Sequence, residues 1–439
     1  MSGLTSRRAL FRSASTLGAL TLLSGCPRPT QVVEVAPDEL LAGTGLSAPD
    51  IDRALVRLRM AGLSEGEVYI QRRLTRIVHL GAEHPAVQTR VASGIALRVV
   101  RDGAEVDTAI GRLTPESLDK LLTRVGIDPT APLAPTTDLT AATLLSGEDH
   151  PASAATPDTA ELATLHLALV EQVADTARLE SRCTVLEDSV VVATIDGRLH
   201  RRVGVFGRLD LSMSQGDRRG TVTTELLGLL GLEDQSAHTN LIERLKAIVA
   251  TPPAVMTRGA HPVLLHAGGG AEWVAGRATA SAEGPGLVFG HVDDTGDSPD
   301  EVESVGPVST RFRPRFDADL VAHPRALTLA AEDPQPAADL IDGFTDGLRV
   351  VRLSDLRREG AAMVGRVAEG WWHQTGQPPR PVPDDTRLHL PDDLEVQKVG
   401  DDGATDHLDR LHTAASNPLL EVTHPTLLLA GARVEAPHA

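Results

Sequence analysis

Two runs of alternating apolar residues meet at Asp102-Gly103 and constrain the fold more than any other feature of the chain. Ile95, Leu97 and Val99 alternate with small or polar residues up to this dipeptide, and a similar alternation leads away from it. An Asp-Gly pair favours a two-residue hairpin turn, and the alternation places the apolar side chains on one face. The pattern therefore predicts an antiparallel β-hairpin with one buried face.

Helix and strand signals follow one another along the rest of the chain. Thr114 and Asp158 each precede a helical apolar pattern, as N-cap residues do, and the second helix is predicted to run to about Glu180. A second hairpin is predicted around Asp196-Gly197. The sequence therefore predicts an α+β fold. The predicted divisions are a signal peptide over 1–25, a tether over 26–49, an N-terminal α/β domain over 50–126, a linker over 127–157, a middle β-hairpin domain over 158–251 and a β-rich C-terminal domain over 252–439.

Composition excludes nucleic acid as the main ligand. The chain has 439 residues and a formal net charge of −18, whereas a nucleic-acid binder needs a basic stripe that displaces counterions. Aromatic residues make up only 2% of the sequence, too few for the stacking platforms that bind single strands. The core must therefore be built mainly from aliphatic side chains. A strongly acidic protein is also expected to attract cationic peptides through its overall field.

The first residues have the pattern of an export signal. Arg7-Arg8 precedes a short apolar run over 14–23, which suggests the twin-arginine route. Leu23-Ser24-Gly25-Cys26 then resembles a bacterial lipobox, in which the cysteine becomes the lipid attachment site. The alternative is an ordinary secretory signal with a chance cysteine. We expect an exported lipoprotein, anchored to a membrane of the bacterial envelope through Cys26, with Cys183 left without a disulfide partner.

Several segments in this order resemble the TldD/PmbA family of metallopeptidase-related proteins. The resemblance is patchy but spans most of residues 50–435. The segments that carry it are Ala92–Val99 with Asp102-Gly103, Thr114–Leu118, the hairpin at Asp196-Gly197, Asp339–Asp342, Asp346–Val350, Ala368–Trp371 and Pro425–Leu428. It implies an α+β fold with an N-terminal α/β domain, a middle β-hairpin domain and a β-rich C-terminal domain.

The resemblance also implies where a zinc site would lie. Active members of the family carry His-Glu-x-x-x-His on a helix and a cysteine near the C-terminus, and they use the metal for proteolysis. Here Pro262–Gly270 resembles the strand and glycine turn before that helix, and Glu283-Gly284 resembles the segment after it. The motif then falls on 275–280. The two histidines and the glutamate are replaced by Ala275, Ala280 and Gly276, and 416–433 has no cysteine. We therefore expect no catalytic residues, no zinc and no other cofactor.

Three hypotheses for function follow. Non-catalytic members of the family, TldE or PmbA, lack the motif and pair with an active TldD subunit. The first hypothesis is thus a membrane-tethered pseudoenzyme that binds peptide or serves as a partner subunit, in a homo-oligomer or a heteromer. The second is an active metallopeptidase whose metal site has moved to His261, His266, His291 or Asp293. The third is a stand-alone envelope lipoprotein that binds a ligand.

Other constellations have simpler interpretations. The loop His291-Val292-Asp293-Asp294 could bind a metal, but a solvated acidic loop is more common. Asp406-His407, Asp409 and His412 are expected on one polar helix face. The triple glycine 268–270 could cradle an anion, yet a tight turn explains it better because no phosphate-loop lysine accompanies it.

Overall fold

The protein was analysed as a computed structural model. It describes residues 33–34, 36–81, 85–132, 146–150, 155–173, 177–230, 236–279, 287–292, 326–331, 333–391, 394–408 and 420–436. The predicted signal peptide, Cys26, Glu283-Gly284, Asp293, Asp294, Asp409 and His412 lie outside these ranges.

The described chain has seven α-helices set between runs of consecutive strands. The helices are α1 (Pro37–Leu40), α2 (Ala48–Met60), α3 (Pro115–Arg124), α4 (Thr159–Val170), α5 (Ser236–Ala250), α6 (Ala271–Thr279) and α7 (Ala337–Asp342). The strands are β1 (Val33–Glu34), β2 (Glu65–Leu80), β3 (Ala86–Arg101), β4 (Ala104–Ile110), β5 (Ser146–His150), β6 (Arg178–Thr194), β7 (Arg198–Gln215), β8 (Arg218–Glu225), β9 (Gly259–Leu265), β10 (Leu287–Val292), β11 (Ala326–Ala331), β12 (Gly347–Glu359), β13 (Ala362–His373), β14 (Arg380–Pro381), β15 (Arg387–Pro391), β16 (Val396–Val399), β17 (Ala404–Leu408), β18 (Leu420–His424) and β19 (Leu427–Glu435). The α+β class predicted from the sequence is confirmed.

The first sheet is built mainly from long antiparallel strands, with the short strand β5 parallel to β7. Its order is β1-β5-β7-β6-β2-β3-β4, and β8 pairs with residues 208–215 of β7. Helices cover one face, because α2 and α3 pack on Val68 and Ile70 while α4 and α5 pack on Val78 and Leu80. Alternate residues of β2 point to the opposite face. The ranges 50–126 and 158–251, predicted as two domains, both contribute strands to this sheet, and the domain boundaries themselves stay a prediction.

The C-terminal part contains two further sheets. In one of them β12, β9, β19, β15 and β13 pair in sequence, and β12 also pairs with β13, so these five strands close into a ring. Val263, Leu348 and Leu427 are fully buried in the apolar core that includes this ring. The other sheet has the order β10-β11-β18-β17, and α6 packs on β17 and β18.

Local signals place several elements correctly. The hairpin at Asp102-Gly103 pairs Val99 with Val106, and the turn at Asp196-Gly197 joins β6 to β7. The Thr114 hydroxyl accepts a hydrogen bond from the Ser117 amide at 3.3 Å, as an N-cap does. Both predicted hairpins are present.

Other local predictions are wrong. The helix after Asp158 ends at Val170, and β6 begins at Arg178 where the sequence predicts helix up to Glu180. Asp406-His407 lies on strand β17 and not on a helix, because its backbone pairs with β18.

Part of the predicted tether is folded. Leu40, Leu41 and Leu46 are buried in the core under the first sheet, and β1 pairs antiparallel with β5, so this stretch is attached to the body. Strand β5 also lies inside the predicted linker over 127–157. None of the helices in the described part of the chain has both the length and the apolar character needed to span a bilayer.

A buried polar network should contribute strongly to stability. It lies on the face of the first sheet that the helices do not cover. The Asp188 carboxylate is 1% exposed and accepts hydrogen bonds from Arg73 Nε at 3.2 Å, Arg73 Nη2 at 3.1 Å and Gln71 Nε2 at 2.8 Å. Asp188→Ala leaves a buried guanidinium without this partner, so we expect the free energy of unfolding to fall by about 3–5 kcal/mol in urea titrations. The control is Glu243→Ala, which breaks an exposed pair with Lys246 on α5 and should cost less than about 1 kcal/mol. Equal losses in the two variants would contradict the assignment.

Candidate functional site

A large cleft separates the unhelical face of the first sheet from the C-terminal part. Its volume is 1920 Å³. The floor is formed by the C-terminal half of β2, the N-terminal half of β6, the C-terminal half of β7 and most of β8. The roof is formed by the start of α6 together with parts of β12 and β13. The cleft is therefore built from segments that are far apart in sequence.

The floor is polar because strand alternation aims every second residue into the cleft. In one row across the sheet, Ile77 pairs with Thr184, Thr184 with Arg208 and Arg208 with Glu225. Hydroxyl groups recur in this grid, for example at Thr223. Such a surface offers donors and acceptors along a path wide enough for an extended chain.

The charges that line the cleft are balanced. Among the described lining residues there are eight arginines and eight carboxylates. Several are paired with each other, as Arg208 Nε is with Asp210 Oδ1 at 2.9 Å and Arg366 Nε with Asp355 Oδ2 at 3.3 Å. The lining itself therefore does not select ligands of one sign, whatever the field of the whole acidic chain does at longer range.

A buried ion pair holds the two walls of the cleft together. Arg244 of α5 donates to Glu369 of β13 through one edge of its guanidinium, with Nε 2.8 Å from Oε1 and Nη2 on Oε2. Glu369 is 3% exposed, and its burial raises the pKa of the carboxyl although Arg244 and Arg349 oppose this. The pair connects the first sheet, through its helix α5, with the C-terminal ring.

The triple glycine forms a tight turn between β9 and α6. A Cβ atom on Gly269 would lie 2.2 Å from the Val351 carbonyl oxygen, and one on Gly270 would lie 2.2 Å from Leu265. All three amides have protein partners: those of Gly268 and Gly270 bind the carbonyl and Nε2 of His424, and that of Gly269 binds the His266 carbonyl. No amide of this turn is left to cradle an anion.

His424 is a structural residue that sequence reasoning missed. The residue is 0% exposed, its Nδ1 lies 2.7 Å from the Pro425 carbonyl and its Nε2 accepts from the Gly270 amide at 3.0 Å. Both ring nitrogens are thus engaged in fixing the turn before α6. Only its position beside Pro425-Thr426, within the stretch that resembles the family's last strand, could have drawn attention to it.

His266 is held neutral beside an arginine. Arg349 Nε donates to its Nε2 at 2.6 Å. Burial lowers the pKa of His266 to about 4, and the Arg349 guanidinium acts in the same direction while Asp402 opposes it. An imidazole nitrogen that accepts from a guanidinium is not available to a metal.

The positions expected to replace the zinc motif lie on α6. Ala275 is 0% exposed within the apolar core, and a Cβ on Gly276 would lie 3.7 Å from the Met363 methyl carbon. Ala280 lies outside the described residues. The acid at the start of the helix, Glu272, points its Oε2 at the Leu356 amide, 3.3 Å away.

Zinc does not fit these residues. Alanine and glycine supply no donor atom, and zinc in proteins needs nitrogen, sulfur or carboxylate ligands. Within the described ranges no three His, Cys, Asp or Glu side chains form a group that could hold a metal ion.

Of the other predicted ligands, the structure describes the His261 side chain and the backbone of His291. His261 Nε2 lies 3.0 Å from the Thr257 carbonyl, and its ring meets Trp372 edge to face at 4.9 Å. His291 lies on β10, in a different sheet from β9. Asp293 is outside the described residues, so the suggested loop ligands remain a prediction.

Comparison with known proteins identifies the architecture. No protein family profile and no curated protein sequence matches the chain. Among solved structures, a proposed modulator of DNA gyrase from Thermotoga maritima is 11% identical, covers 88% of this chain and 99% of its own, and has a TM-score of 0.57. TldE from Thermococcus kodakarensis is 9% identical, with 88% and 100% coverage and a TM-score of 0.56.

A third structure agrees with these two. A proposed modulator of DNA gyrase from Bacteroides thetaiotaomicron is 13% identical, with 88% and 97% coverage and a TM-score of 0.50. Each match spans nearly the whole of the other chain, so the similarity includes the first sheet and the C-terminal part alike. The chain therefore has the TldD/PmbA-like α+β fold that its sequence predicts.

Proposed function

We propose that the chain is a membrane-tethered, non-catalytic protein that binds peptides in the cleft and serves as the partner subunit of an active metallopeptidase of the same fold. The observation that carries the proposal is the position of two residues on helix α6: Ala275 is buried in the apolar core, and Gly276 lies beside the Met363 side chain. In the family that the chain resembles, these positions hold a zinc ligand and the general base.

The chemistry of peptide hydrolysis supports this interpretation. A zinc peptidase needs ligands that leave one position open for water and a carboxylate that removes a proton from it. On the described part of α6 the only carboxylate is Glu272, and it faces a backbone amide. Alanine and glycine at the motif positions can pack, but they supply neither a metal ligand nor a general base.

The volume and the lining of the cleft support the proposal that it binds a polymeric ligand. Pockets for small molecules usually enclose about 300–1,000 Å³, whereas this cleft measures 1920 Å³. Its floor presents hydroxyl, guanidinium and carboxylate groups in rows, which suits the alternating donors and acceptors of an extended peptide backbone. The balanced charge favours recognition of main chain over that of one side-chain type.

The tether rests on the first residues of the sequence. Arg7-Arg8, the apolar run and Cys26 are the observations behind it. The chain from Cys26 to Val33 can span at most about 25 Å, and Val33 pairs at the outer edge of the first sheet. A lipid on Cys26 would therefore hold the body close to the membrane surface.

An active metallopeptidase with a relocated site has less support. Of its suggested ligands, His266 accepts from Arg349 and His261 lies within hydrogen-bond distance of a carbonyl. In the described part of the chain neither histidine belongs to a group of three side chains that could hold a metal ion.

The purified chain should carry no stoichiometric zinc and cleave no peptide. We expect less than about 0.1 zinc per chain by inductively coupled plasma mass spectrometry, because Ala275 and Gly276 supply no donor atom at the motif positions. Unfolded peptides should remain intact with or without added Zn²⁺, as followed by mass spectrometry. One zinc per chain together with cleavage that stops in EDTA would overturn the proposal.

The partner subunit can be sought directly. Pull-down from the source organism with the lipid-free chain, followed by metal analysis of the co-eluting protein, should recover a chain that contains His-Glu-x-x-x-His and zinc. Recovery of peptides without any protein partner would instead favour the stand-alone binding lipoprotein.

Lipidation should depend on Cys26 alone. In a bacterial host with a lipoprotein pathway, the chain with its own Cys26 should be lipidated and should partition into the detergent phase of Triton X-114, since acyl chains add about 0.8 kcal/mol per buried methylene. Cys26→Ser should move it to the aqueous phase. The matched control is Cys183→Ser, which removes a buried thiol and should leave partitioning unchanged. Aqueous partitioning of the chain that keeps Cys26 would contradict the proposed lipid tether.

Stability should fall on acidification through His266. The folded chain keeps this imidazole neutral to about pH 4, whereas the unfolded chain takes up the proton near pH 6.5. The contribution to the free energy of unfolding is thus fully present above pH 6.5 and is lost as the pH falls to about 4, by up to about 3 kcal/mol. His266→Gln should flatten that part of the profile in urea titrations.

Two further measurements complete this test. Arg349→Gln removes the neighbouring guanidinium, so the pKa of His266 measured by NMR should rise. Zn²⁺ added at pH 7 should not raise the unfolding midpoint of the unmodified chain, whereas a zinc site at His266 would raise it. An unchanged pH profile in His266→Gln would show that the proton is taken up elsewhere.

A further inference from the structure

The first half of strand β3 is an edge of the first sheet. Strand β2 pairs with β3 along its whole length from Ala86 to Val100, but β4 pairs only with Ile95–Arg101. Among the described residues no strand lies on the outer side of Ala86–Gly94. The backbone groups that point outward from this segment are therefore available to another strand.

This edge lacks the features that usually keep sheet edges apart. The pairing with β2 runs without a bulge, the segment has no proline, and its only charged residue is Arg90. Residues 86–91 are all exposed, and Val87 and Val91 are 50% and 59% exposed. An unprotected edge of this kind either aggregates or pairs with a specific partner.

The sequence of the edge is complementary to itself. Residues 86–92 read Ala-Val-Gln-Thr-Arg-Val-Ala, which is nearly symmetric about Thr89. If two copies pair antiparallel about Thr89, Val87 faces Val91 of the second copy and Gln88 faces Arg90 of the second copy. Valine pairs and Arg–amide pairs are both favourable across strands, and the single cation never meets its own copy.

We propose that two copies of this chain dimerise by antiparallel pairing of their β3 edges, with Thr89 on the two-fold axis. The pairing joins the two first sheets into one continuous sheet, as an isologous interface requires. It adds roughly six backbone hydrogen bonds and covers the exposed valines. The proposal needs only this chain and is independent of the proposed partner subunit and of zinc.

The geometry has a consequence for the cleft. The two-fold axis of an antiparallel strand pair is perpendicular to the sheet, so the same face of both copies lies on the same side. Gln88, Arg90 and Ala92 share the cleft side of β3, and Arg90 and Ala92 line the cleft. The two clefts would thus open side by side over one joined floor.

A charge exchange tests the pairing. Because Val87 faces only Val91 of the second copy, Val87→Lys/Val91→Lys places lysine opposite lysine in its own dimer, and Val87→Glu/Val91→Glu places glutamate opposite glutamate. Each double variant should be monomeric, and an equimolar mixture should form a heterodimer that weakens as salt is added. The measurement is sedimentation velocity at 1–100 µM on the Cys26→Ser chain.

The expected affinity is modest. A seven-residue strand pair buries less than the roughly 1,200–2,000 Å² of a standard interface, so the unmodified chain should dissociate in the micromolar range. The control pair is Val106→Lys and Val106→Glu on β4, where the valine is 39% exposed but outside the segment, and both should keep the dimer. A chain that is monomeric at 100 µM, or a dimer that survives both double variants, would overturn the proposal.

A second measurement guards against variants that fail to fold. In the Cys26→Ser chain, Thr89→Cys places the new thiol opposite itself across the axis, so mild oxidation should give a covalent dimer in non-reducing gels. Val106→Cys should stay uncrosslinked under the same conditions, and Cys183 is buried and cannot interfere. Equal crosslinking of the two variants would also overturn the proposal.

Discussion

The long antiparallel ladder of the first sheet is the constraint on which the other features depend. Strand β2 pairs with both β3 and β6 along almost its whole length, so its backbone hydrogen bonds fix the register of the central strands. With that register set, alternation sends Val78 toward the helices and Ile77 and His79 toward the cleft. A one-residue slip would exchange the two faces and remove the core and the polar floor together.

Local chemistry made some of this fold predictable from sequence. The turns at Asp102-Gly103 and Asp196-Gly197 and the caps at Thr114 and Asp158 depend on residues within a few positions of one another. The helix predicted up to Glu180 failed because β6 takes partners from β2 and β7 on both sides. The helix predicted at Asp406-His407 was wrong for the same reason, because the partner strand β18 could not be recognised from nearby sequence.

The candidate site was predictable only in part. A resemblance carried by short segments placed the degenerate zinc motif on 275–280, which stays a prediction, and the structure places Ala275 on α6 in the apolar core. The bond between Gly270 and His424 joins residues 154 positions apart, and Arg244 meets Glu369 across 125 positions. Such contacts depend on the tertiary fold, and neither composition nor periodicity contains a signal for them.

The short strand β1 has a mechanical consequence for a protein held by its first residues. Within the ranges that the structure describes, it is joined to β5 through two residue pairs, Val33 with Asp149 and Glu34 with Glu148. If the N-terminus is anchored, force along it would separate β1 from β5 first, because Leu40 and Leu41 hold the next segment in the core. The N-terminal segment between the membrane and the folded body would thus lengthen before the body itself unfolds.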